Sequence, residues 1–304
     1  MNNQSPEQAG LVSVLDYVRW AVSRFNAEGL SYGQGTNNAL DDAAALVLKT
    51  LYLPYNLAID YWQGALTTSE RQAVSAVIEQ RIDSRLPVAY LTHESVFAGL
   101  EFYVDQRVLI PRSPIAELIQ EQFAPWLDSE RVTRILDLCT GSGCIAIAAA
   151  HYFANARVDA VDVSEQALQV AEINRQKHGL EQDVNLIQSD LFQALPDDRY
   201  DLIVSNPPYV AEAVWQALPE EFKHEPALGF KGGEDGLDLV LRILHEAPRY
   251  LAEHGVLVVE VGASARTLQR RFPQVPFHWL EFEHGGDGVF LLTAEQLATY
   301  HDYF

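Results

Sequence analysis

The spacing of apolar residues along the chain divides it into three parts. In the first part, residues 1–86, apolar positions recur every three or four residues, which predicts amphipathic helices. One such helix is expected after the start signal Ser5-Pro6, with these apolar positions: Leu11, Val14, Leu15, Val18 and Val22. Another is predicted to begin at Thr67, because Glu70 three residues later completes a capping box. Residues 1–86 are therefore expected to form a helical bundle.

The second part, residues 87–111, has a different pattern. Val96-Phe97 and the run from Leu100 to Val104 flank the dipeptide Ala98-Gly99, which predicts two short strands joined by a turn. We therefore expect a β-hairpin linker between the helical bundle and the rest of the chain.

In the third part, residues 112–304, strands and helices alternate. Apolar, β-branched runs predict strands near residues 134–138, 158–162, 184–188, 202–204 and 255–261. Alternation of this kind predicts an α/β fold with a doubly wound, mostly parallel sheet. The tail differs, because Phe277 to Phe282 and Val289 to Leu292 flank Gly285-Gly286 and predict a closing antiparallel hairpin.

A glycine-rich turn follows the first of these strands, with the sequence Asp137-Leu138-Cys139-Thr140-Gly141-Ser142-Gly143-Cys144. Gly141 and Gly143 allow positive φ and close approach of a ligand, and the following helix N-terminus favours an anionic group. Asp162 ends the next strand, where an acid is suited to ribose hydroxyls. The spacing up to Ala146 also satisfies the dinucleotide fingerprint, so a nicotinamide dehydrogenase is the rival enzyme class.

The strand ending at Val204 is followed by an unusual turn, Ser205-Asn206-Pro207-Pro208-Tyr209. The prolines stop strand pairing, stiffen the turn and provide carbonyl acceptors without competing N–H donors. Asn206 precedes a proline and is therefore held extended, and Tyr209 adds a flat aromatic face. This pocket suits a planar group bearing an NH2, either an amide or the amine of a base. Hydride transfer has no need of such a pocket, which favours a methyltransferase acting on a planar nitrogen.

Composition narrows the class of partner. A formal net charge of −21 disfavours direct binding to a nucleic-acid backbone and fits a basic protein partner. The two cysteines, Cys139 and Cys144, are too few for a disulfide framework and indicate a reducing cytoplasm. The sequence shows no membrane-length apolar run, no signal peptide and no ligand spacing that would predict a metal site.

Together these motifs resemble the class I S-adenosylmethionine-dependent methyltransferases that act on glutamine amides. The similarity extends over nearly the whole chain and includes three further segments: Arg85 to Leu91, Val108 to Arg112, and His224 to Leu228 with Asp235-Gly236. The glycine turn and the sequence Pro-Arg-Ser-Pro at 111–114 resemble the branch that methylates large-subunit ribosomal protein three more than the release-factor branch.

The resemblance implies a role for each motif residue. The expected cofactor-binding residues are Asp137, Cys139, Thr140, Gly141, Ser142, Gly143, Asp162, Asp190, Leu191 and Asn206, with Asp162 on the ribose and Asp190 on the adenine. The expected acceptor-binding residues are Asn206, Pro207, Pro208 and Tyr209. Of these, Asn206, Pro207 and Tyr209 are the expected catalytic residues, with Asn206 and the Pro207 carbonyl holding the amide hydrogens. Neither a metal nor a strong general base is expected.

Three functions remain open from the sequence. The first is glutamine methylation of a ribosomal protein, with the helical part docking the substrate. The second is methylation of the release-factor glutamine or of an adenine amino group, and the acidic balance argues against the adenine. The third is a non-catalytic assembly factor that binds nascent ribosomal protein, and the acceptor pocket argues against it.

Overall fold

The computed structural model describes residues 10–304, which form two compact units. The first unit contains the chain up to Glu94 together with Pro219–His224, and the second contains Ser95–Leu218 and Glu225–Phe304. The helix start expected at Ser5-Pro6 lies outside the described residues.

The first unit is helical. Its α-helices are α1 Val14–Ala27, α2 Ala39–Thr50, α3 Thr68–Ser84 and α4 Val88–Thr92. The capping box predicted at Thr67 and Glu70 is present. A second capping box, between Ser13 and Asp16, starts α1, so Leu11 precedes this helix instead of belonging to it. Apolar faces of the helices pack into one core that includes Tyr17, Leu46 and Ile78.

The segment Pro219–His224 belongs to the first unit through a buried carboxylate. Glu221 is 1% exposed, and it accepts hydrogen bonds from the Ser31 N–H at 3.0 Å and from Arg85 Nη1 at 2.9 Å. Because an unpaired buried carboxylate is costly, these two donors hold the segment in place.

The second unit is built on a seven-stranded sheet. Its strands are β3 Arg134–Leu138, β4 Arg157–Asp162, β5 Val184–Gln188, β6 Tyr200–Ser205, β7 Leu251–Glu260, β8 His278–Trp279 and β9 Val289–Thr293. Their order across the sheet is β5-β4-β3-β6-β7-β9-β8. Strands β3 to β7 are parallel to one another, and β9 runs antiparallel to both β7 and β8. The predicted doubly wound sheet and closing hairpin are therefore confirmed. A separate two-stranded hairpin consists of β1 Glu94–Phe97 and β2 Leu100–Tyr103.

Helices flank this sheet: α5 Ile115–Gln120, α6 Cys144–Tyr152, α7 Glu165–Lys177, α8 Glu212–Ala217, α9 Asp238–Glu246, α10 Ala265–Arg271 and α11 Ala294–Tyr300. Neighbouring residues of one strand enter different apolar cores, as with Ile135 and Leu136 of β3. Both faces of the sheet are thus buried, which explains why its strands are continuous apolar runs. No helix within residues 10–304 is long and apolar enough to cross a bilayer.

The strand order reverses at β3, which pairs with β4 on one side and β6 on the other. Leu138 at the end of β3 lies beside Val161 of β4 and Ser205 of β6. The residues that follow these strands consequently share one edge of the sheet. In doubly wound folds, ligands bind at this edge and at this reversal.

Candidate active site

A cavity of about 340 Å³ lies at this edge, within the second unit. Its lining includes Cys139 to Ser142, Val161 to Ser164, Ser189 to Leu191, Asn206, Pro208 and Arg107 to Ser113. A volume of this order is typical of pockets for small molecules and cofactors.

Two glycines give the glycine turn its shape for different reasons. Gly143 has a φ of +80°, and a Cβ there would lie 3.1 Å from the Ala171 Cβ. Close packing against α7 therefore requires a glycine at this position. Gly141 has a φ of +56°, and no atom lies within 4 Å of the place where its Cβ would be. Space beside Gly141 therefore remains open for a ligand that approaches the backbone.

Asp137 lies under the turn with no solvent exposure. Its Oδ2 accepts hydrogen bonds from Thr140 Oγ1 at 2.5 Å and from the Ala146 N–H at 3.1 Å. Its Oδ1 and the buried hydroxyl of Ser142 have no hydrogen-bond partner among the described residues. Burial raises the pKa of Asp137 to about 7, so a cation bound beside it would favour the ionised form.

Asp162 supports the same turn from the end of β4. Its Oδ2 accepts the Gly141 N–H and its Oδ1 accepts the Ser164 N–H, both at 2.9 Å. Burial nevertheless raises the pKa of this carboxyl above its ordinary value. Asp162 thus braces the glycine turn and also lines the cavity.

Asp190 is ion-paired with a residue that the sequence did not indicate. Arg242 of α9 donates to its Oδ1 at 2.9 Å. Leu191, the next residue, is buried and has a φ of +51°. This ion pair places the Arg242 guanidinium next to the Asp190 carboxylate, which lines the cavity.

Asn206 and Pro208 line the cavity on the side of β6. The strand end is held to β3 by Ser205, whose hydroxyl donates to the Leu138 carbonyl at 2.8 Å. Backbone bonds continue past the prolines, because the Val210 N–H donates to the Phe230 carbonyl at 2.8 Å. The acceptor turn, residues 206–209, is consequently fixed at both ends.

Three glycines surround the same turn. A Cβ on Gly232 would lie 2.6 Å from the Pro208 carbonyl oxygen, and one on Gly236 would overlap the Tyr209 carbonyl oxygen. A Cβ on Gly262 would lie 2.6 Å from Cε2 of the Tyr209 ring. Glycine at these positions allows the surrounding backbone to enclose the turn.

The Tyr209 side chain ends in a buried hydrogen-bond chain. Its hydroxyl donates to Glu260 Oε1 at 2.7 Å, and the Ser113 hydroxyl donates to Glu260 Oε2 at 2.5 Å. The sequence analysis did not identify Glu260, although a signal was present. Glu260 is a charged residue at the end of an apolar strand, at the same edge of the sheet as Asp162. A charged residue in such a position was the reason for selecting Asp162.

A second buried carboxylate, Glu225, lies near the cavity. Arg112 forms a bidentate ion pair with this carboxylate, donating from Nη1 at 2.8 Å and from Nη2 at 3.1 Å. The Ile110 N–H also donates to it, at 2.9 Å. Arg112 itself lines the cavity. Both residues lie in segments that carried the family resemblance, but no role was predicted for them.

The structure therefore gathers most of the predicted site residues around one cavity. Cys139, Thr140, Gly141, Ser142, Asp162, Asp190, Leu191, Asn206 and Pro208 line it, and Asp137, Gly143, Pro207 and Tyr209 lie in the same turns without lining it. Burial raises the pKa of both cysteine thiols, that of Cys144 to about 12, so both are neutral near pH 7 and poor nucleophiles. The described part of the chain contains no group of three metal-ligating side chains.

Comparisons with known proteins identify the family and the fold. The family model of the methyltransferase small domain matches residues 120–225. The fold is similar to the catalytic domain of hMettl16, solved in complex with the MAT2A 3'UTR hairpin 6, with a TM-score of 0.50, 19% identity, and coverage of 74% of this chain and 80% of that one. This likeness shows the fold alone.

Two relatives are much more similar in sequence. A protein of Xanthomonas campestris pv. campestris is 49% identical over 95% of this chain and 94% of its own length. A protein of Xylella fastidiosa is 50% identical over 96% of this chain and 93% of its own length. Both are named ribosomal protein uL3 glutamine methyltransferase. With this identity over nearly the whole of each chain, the protein belongs to the family of ribosomal protein uL3 glutamine methyltransferases.

Proposed function

We propose that this chain transfers a methyl group from S-adenosylmethionine to the side-chain amide nitrogen of a glutamine in ribosomal protein uL3. The observation that carries the proposal is the meeting of two turns on one cavity: the glycine turn that follows β3 and the Asn206–Tyr209 turn that follows β6. The first suits a nucleoside cofactor, and the second suits a planar amide.

The cavity lining and Asp137, which is buried under the glycine turn, are suited to S-adenosylmethionine. That cofactor has a sulfonium and an ammonium group, and the buried, unpartnered Oδ1 of Asp137 is an acceptor for a cation. The open side of Gly141 admits the methionine portion, Asp162 is suited to the ribose, and Asp190 to the adenine. When bound, S-adenosylmethionine supplies an electrophilic methyl group.

The acceptor turn addresses the weakness of an amide as a nucleophile. The nitrogen lone pair is delocalised into the carbonyl, so the amide must be oriented before it can react. In our proposal, Asn206 Oδ1 and the Pro207 carbonyl accept the two N–H hydrogens, which directs the nitrogen towards the methyl group. Tyr209 bounds the plane of the amide. Good alignment of two reactants can recover about 7–11 kcal/mol of a barrier.

This chemistry requires no strong base from the chain. As the carbon–nitrogen bond formed, the bond between the methyl carbon and the sulfonium sulfur would break and leave S-adenosylhomocysteine. The nitrogen would then release its proton to solvent. The chain's own task is to orient the amide and to exclude competing water. The rigid proline turn, enclosed by Gly232, Gly236 and Gly262, is suited to that task.

We further propose that the first unit docks the substrate protein. Three large apolar side chains between α2 and α3 are exposed there: Tyr52 at 94%, Ile59 at 78% and Tyr61 at 68%. Tyrosine faces bind arginine and lysine by cation–π contacts, and the chain's charge of −21 complements a basic protein such as a ribosomal protein in the cytoplasm. Replacing Tyr52 and Tyr61 by serine should raise KM for intact uL3 and leave methylation of a short glutamine peptide unchanged. An unchanged KM for uL3 would remove this docking role.

The experiment for the main proposal is methyl transfer with purified components. The chain is incubated with isotopically labelled S-adenosylmethionine and, separately, with uL3, a release factor or single-stranded DNA, and the products are mapped by mass spectrometry. We expect one labelled methyl on a glutamine of uL3, and labelling that is roughly 10²–10³-fold slower in the same reaction with Asn206→Ala. Label on the release factor alone would assign the chain to the other glutamine substrate, and label on adenine would overturn the proposal.

A further inference from the structure

Glu260 is a buried acid that the proposed chemistry does not use directly. It ends β7, next to the end of β6, and is only 5% exposed. Each of its carboxylate oxygens accepts one neutral hydroxyl: Tyr209 at 2.7 Å and Ser113 at 2.5 Å. Burial raises the pKa of Glu260 above its ordinary value, so an isolated carboxyl at this place is unfavourable for folding. A purely structural position would be better filled by an apolar side chain.

The other contacts of Tyr209 show what the bond to Glu260 adds. The ring lies against Gly262, where a Cβ would come within 2.6 Å of Cε2 and 2.9 Å of Cζ. The backbone is held because the Ser264 hydroxyl donates to the Tyr209 carbonyl at 3.0 Å. These two restraints act on one face of the ring and on the backbone, and the hydroxyl bond to Glu260 fixes the far end of the ring. The three restraints together determine where the ring lies.

We propose that Glu260, itself oriented by Ser113, is a positioning residue that sets the Tyr209 ring against the plane of the acceptor amide. The inference rests on the proposed function, which assigns that plane to Tyr209. Glu260 does not line the cavity, so it acts only through Tyr209 and does not touch the reacting atoms. Its removal should therefore reduce turnover and leave cofactor affinity unchanged.

The chain offers a matched control for the loss of such a bond. Tyr200 is fully buried and donates its hydroxyl to Asp159 Oδ2 at 2.9 Å. It begins β6, so it lies at the opposite edge of the sheet from the cavity. Tyr200→Phe and Tyr209→Phe thus delete the same kind of tyrosine–carboxylate bond, one at the start of β6 and one in the turn that follows it.

The experiment measures kcat for uL3 methylation, Kd for S-adenosylhomocysteine and Tm for four variants: Tyr209→Phe, Glu260→Gln, the double variant and Tyr200→Phe. Loss of a hydrogen bond to a charged group corresponds to roughly a ten- to hundredfold change in rate. We therefore expect kcat to fall by that factor in Tyr209→Phe and in Glu260→Gln. The double variant should be no slower than the slower single, because both changes remove one interaction. Tyr200→Phe should lower Tm and leave kcat unchanged, and Kd should be the same in all four.

Three results would overturn the inference: wild-type kcat in Tyr209→Phe, multiplied losses in the double variant, or an equal kcat loss in Tyr200→Phe. Ser113→Ala, expected to lose less activity than Glu260→Gln, provides the test if Glu260→Gln does not fold. Wild-type protein that modifies the release factor instead of uL3 would refute the proposed function alone. The same ratios of kcat on that substrate would then decide the role of Glu260.

Discussion

Replacing Asp137 by asparagine should stabilise the free protein and weaken cofactor binding. Asparagine has nearly the same shape, and its carbonyl oxygen can accept the bonds from Thr140 Oγ1 and the Ala146 N–H that Oδ2 now accepts. The change removes a negative charge from a site with no solvent exposure. It therefore separates the cost of burying the charge from the hydrogen bonds that shape the turn.

The magnitude follows from the pKa of Asp137. Burial raises this pKa from 3.8 to about 7, which makes the ionised folded form about 4 kcal/mol less stable than it would be with an unshifted pKa. Because the pKa is raised, the contribution of Asp137 to stability is complete below the unfolded value of 3.8 and is lost as pH rises through about 7. Asp137→Asn should thus be more stable than wild type at about pH 8, with the difference disappearing below about pH 4.

Cofactor binding should change in the opposite direction. If the ammonium or sulfonium of the cofactor lies beside Oδ1, the wild-type affinity should increase as pH rises to about 7 and then level off. Asp137→Asn should bind S-adenosylmethionine more weakly, with no such pH dependence. Urea unfolding of the free protein and calorimetry at several pH values test both expectations. An asparagine variant that is less stable than wild type at about pH 8 would refute the reasoning about burial, and unchanged affinity would refute the contact with the cofactor.

Three further substitutions test the remaining parts of the site. Asn206→Ala should lower the rate of single-turnover methyl transfer by roughly 10²–10³-fold and leave Kd for S-adenosylhomocysteine unchanged. The rate of Asn206→Asp should lie between those of the alanine variant and the wild type. A destabilised but fully active alanine variant would mean that Asn206 only caps a turn. Asp162→Ala should weaken calorimetric binding of S-adenosylhomocysteine by about 1.5–3 kcal/mol, and tight binding of NAD by the wild type would contradict the cofactor assignment. Gly262→Ala should lower Tm, because a residue with a side chain is about 1–2 kcal/mol less stable in the left-handed backbone conformation of Gly262. It should also reduce kcat by displacing the Tyr209 ring. Retained kcat would show that the position of the ring is unimportant for turnover.

The sequence alone allowed prediction of what depends on neighbouring residues. Strands over 134–138 and 184–188 were expected at the observed bounds. The first of them is buried along most of its length, which fits its largely apolar sequence. The capping box at Thr67 and the cap at Ser164 are local hydrogen bonds with local signals. The capping box of Thr293 and Gln296 that begins α11 carried the same kind of signal, although α11 was not predicted.

The two turns of the candidate site could be found from the sequence for the same reason. Positive φ at Gly141 and the stiffness of Pro207 and Pro208 are properties of the residues themselves. Alternation of strands and helices predicts parallel strands, and the turns that follow parallel strands lie at one edge of the sheet. The sequence did not predict the order of the strands, which puts β6 beside β3 and so brings Asn206 to the cavity.

Only the tertiary structure decided which distant polar groups meet. Glu260 is 51 residues from Tyr209 and 147 from Ser113, and Glu221 is 190 residues from Ser31. Such bonds leave no periodicity in the sequence, because each partner satisfies only its own local pattern. Burial decides their importance, since a carboxylate in solvent needs no partner and one in the interior must have several. Burial in turn depends on the packing of the whole unit, which no single stretch of the chain contains.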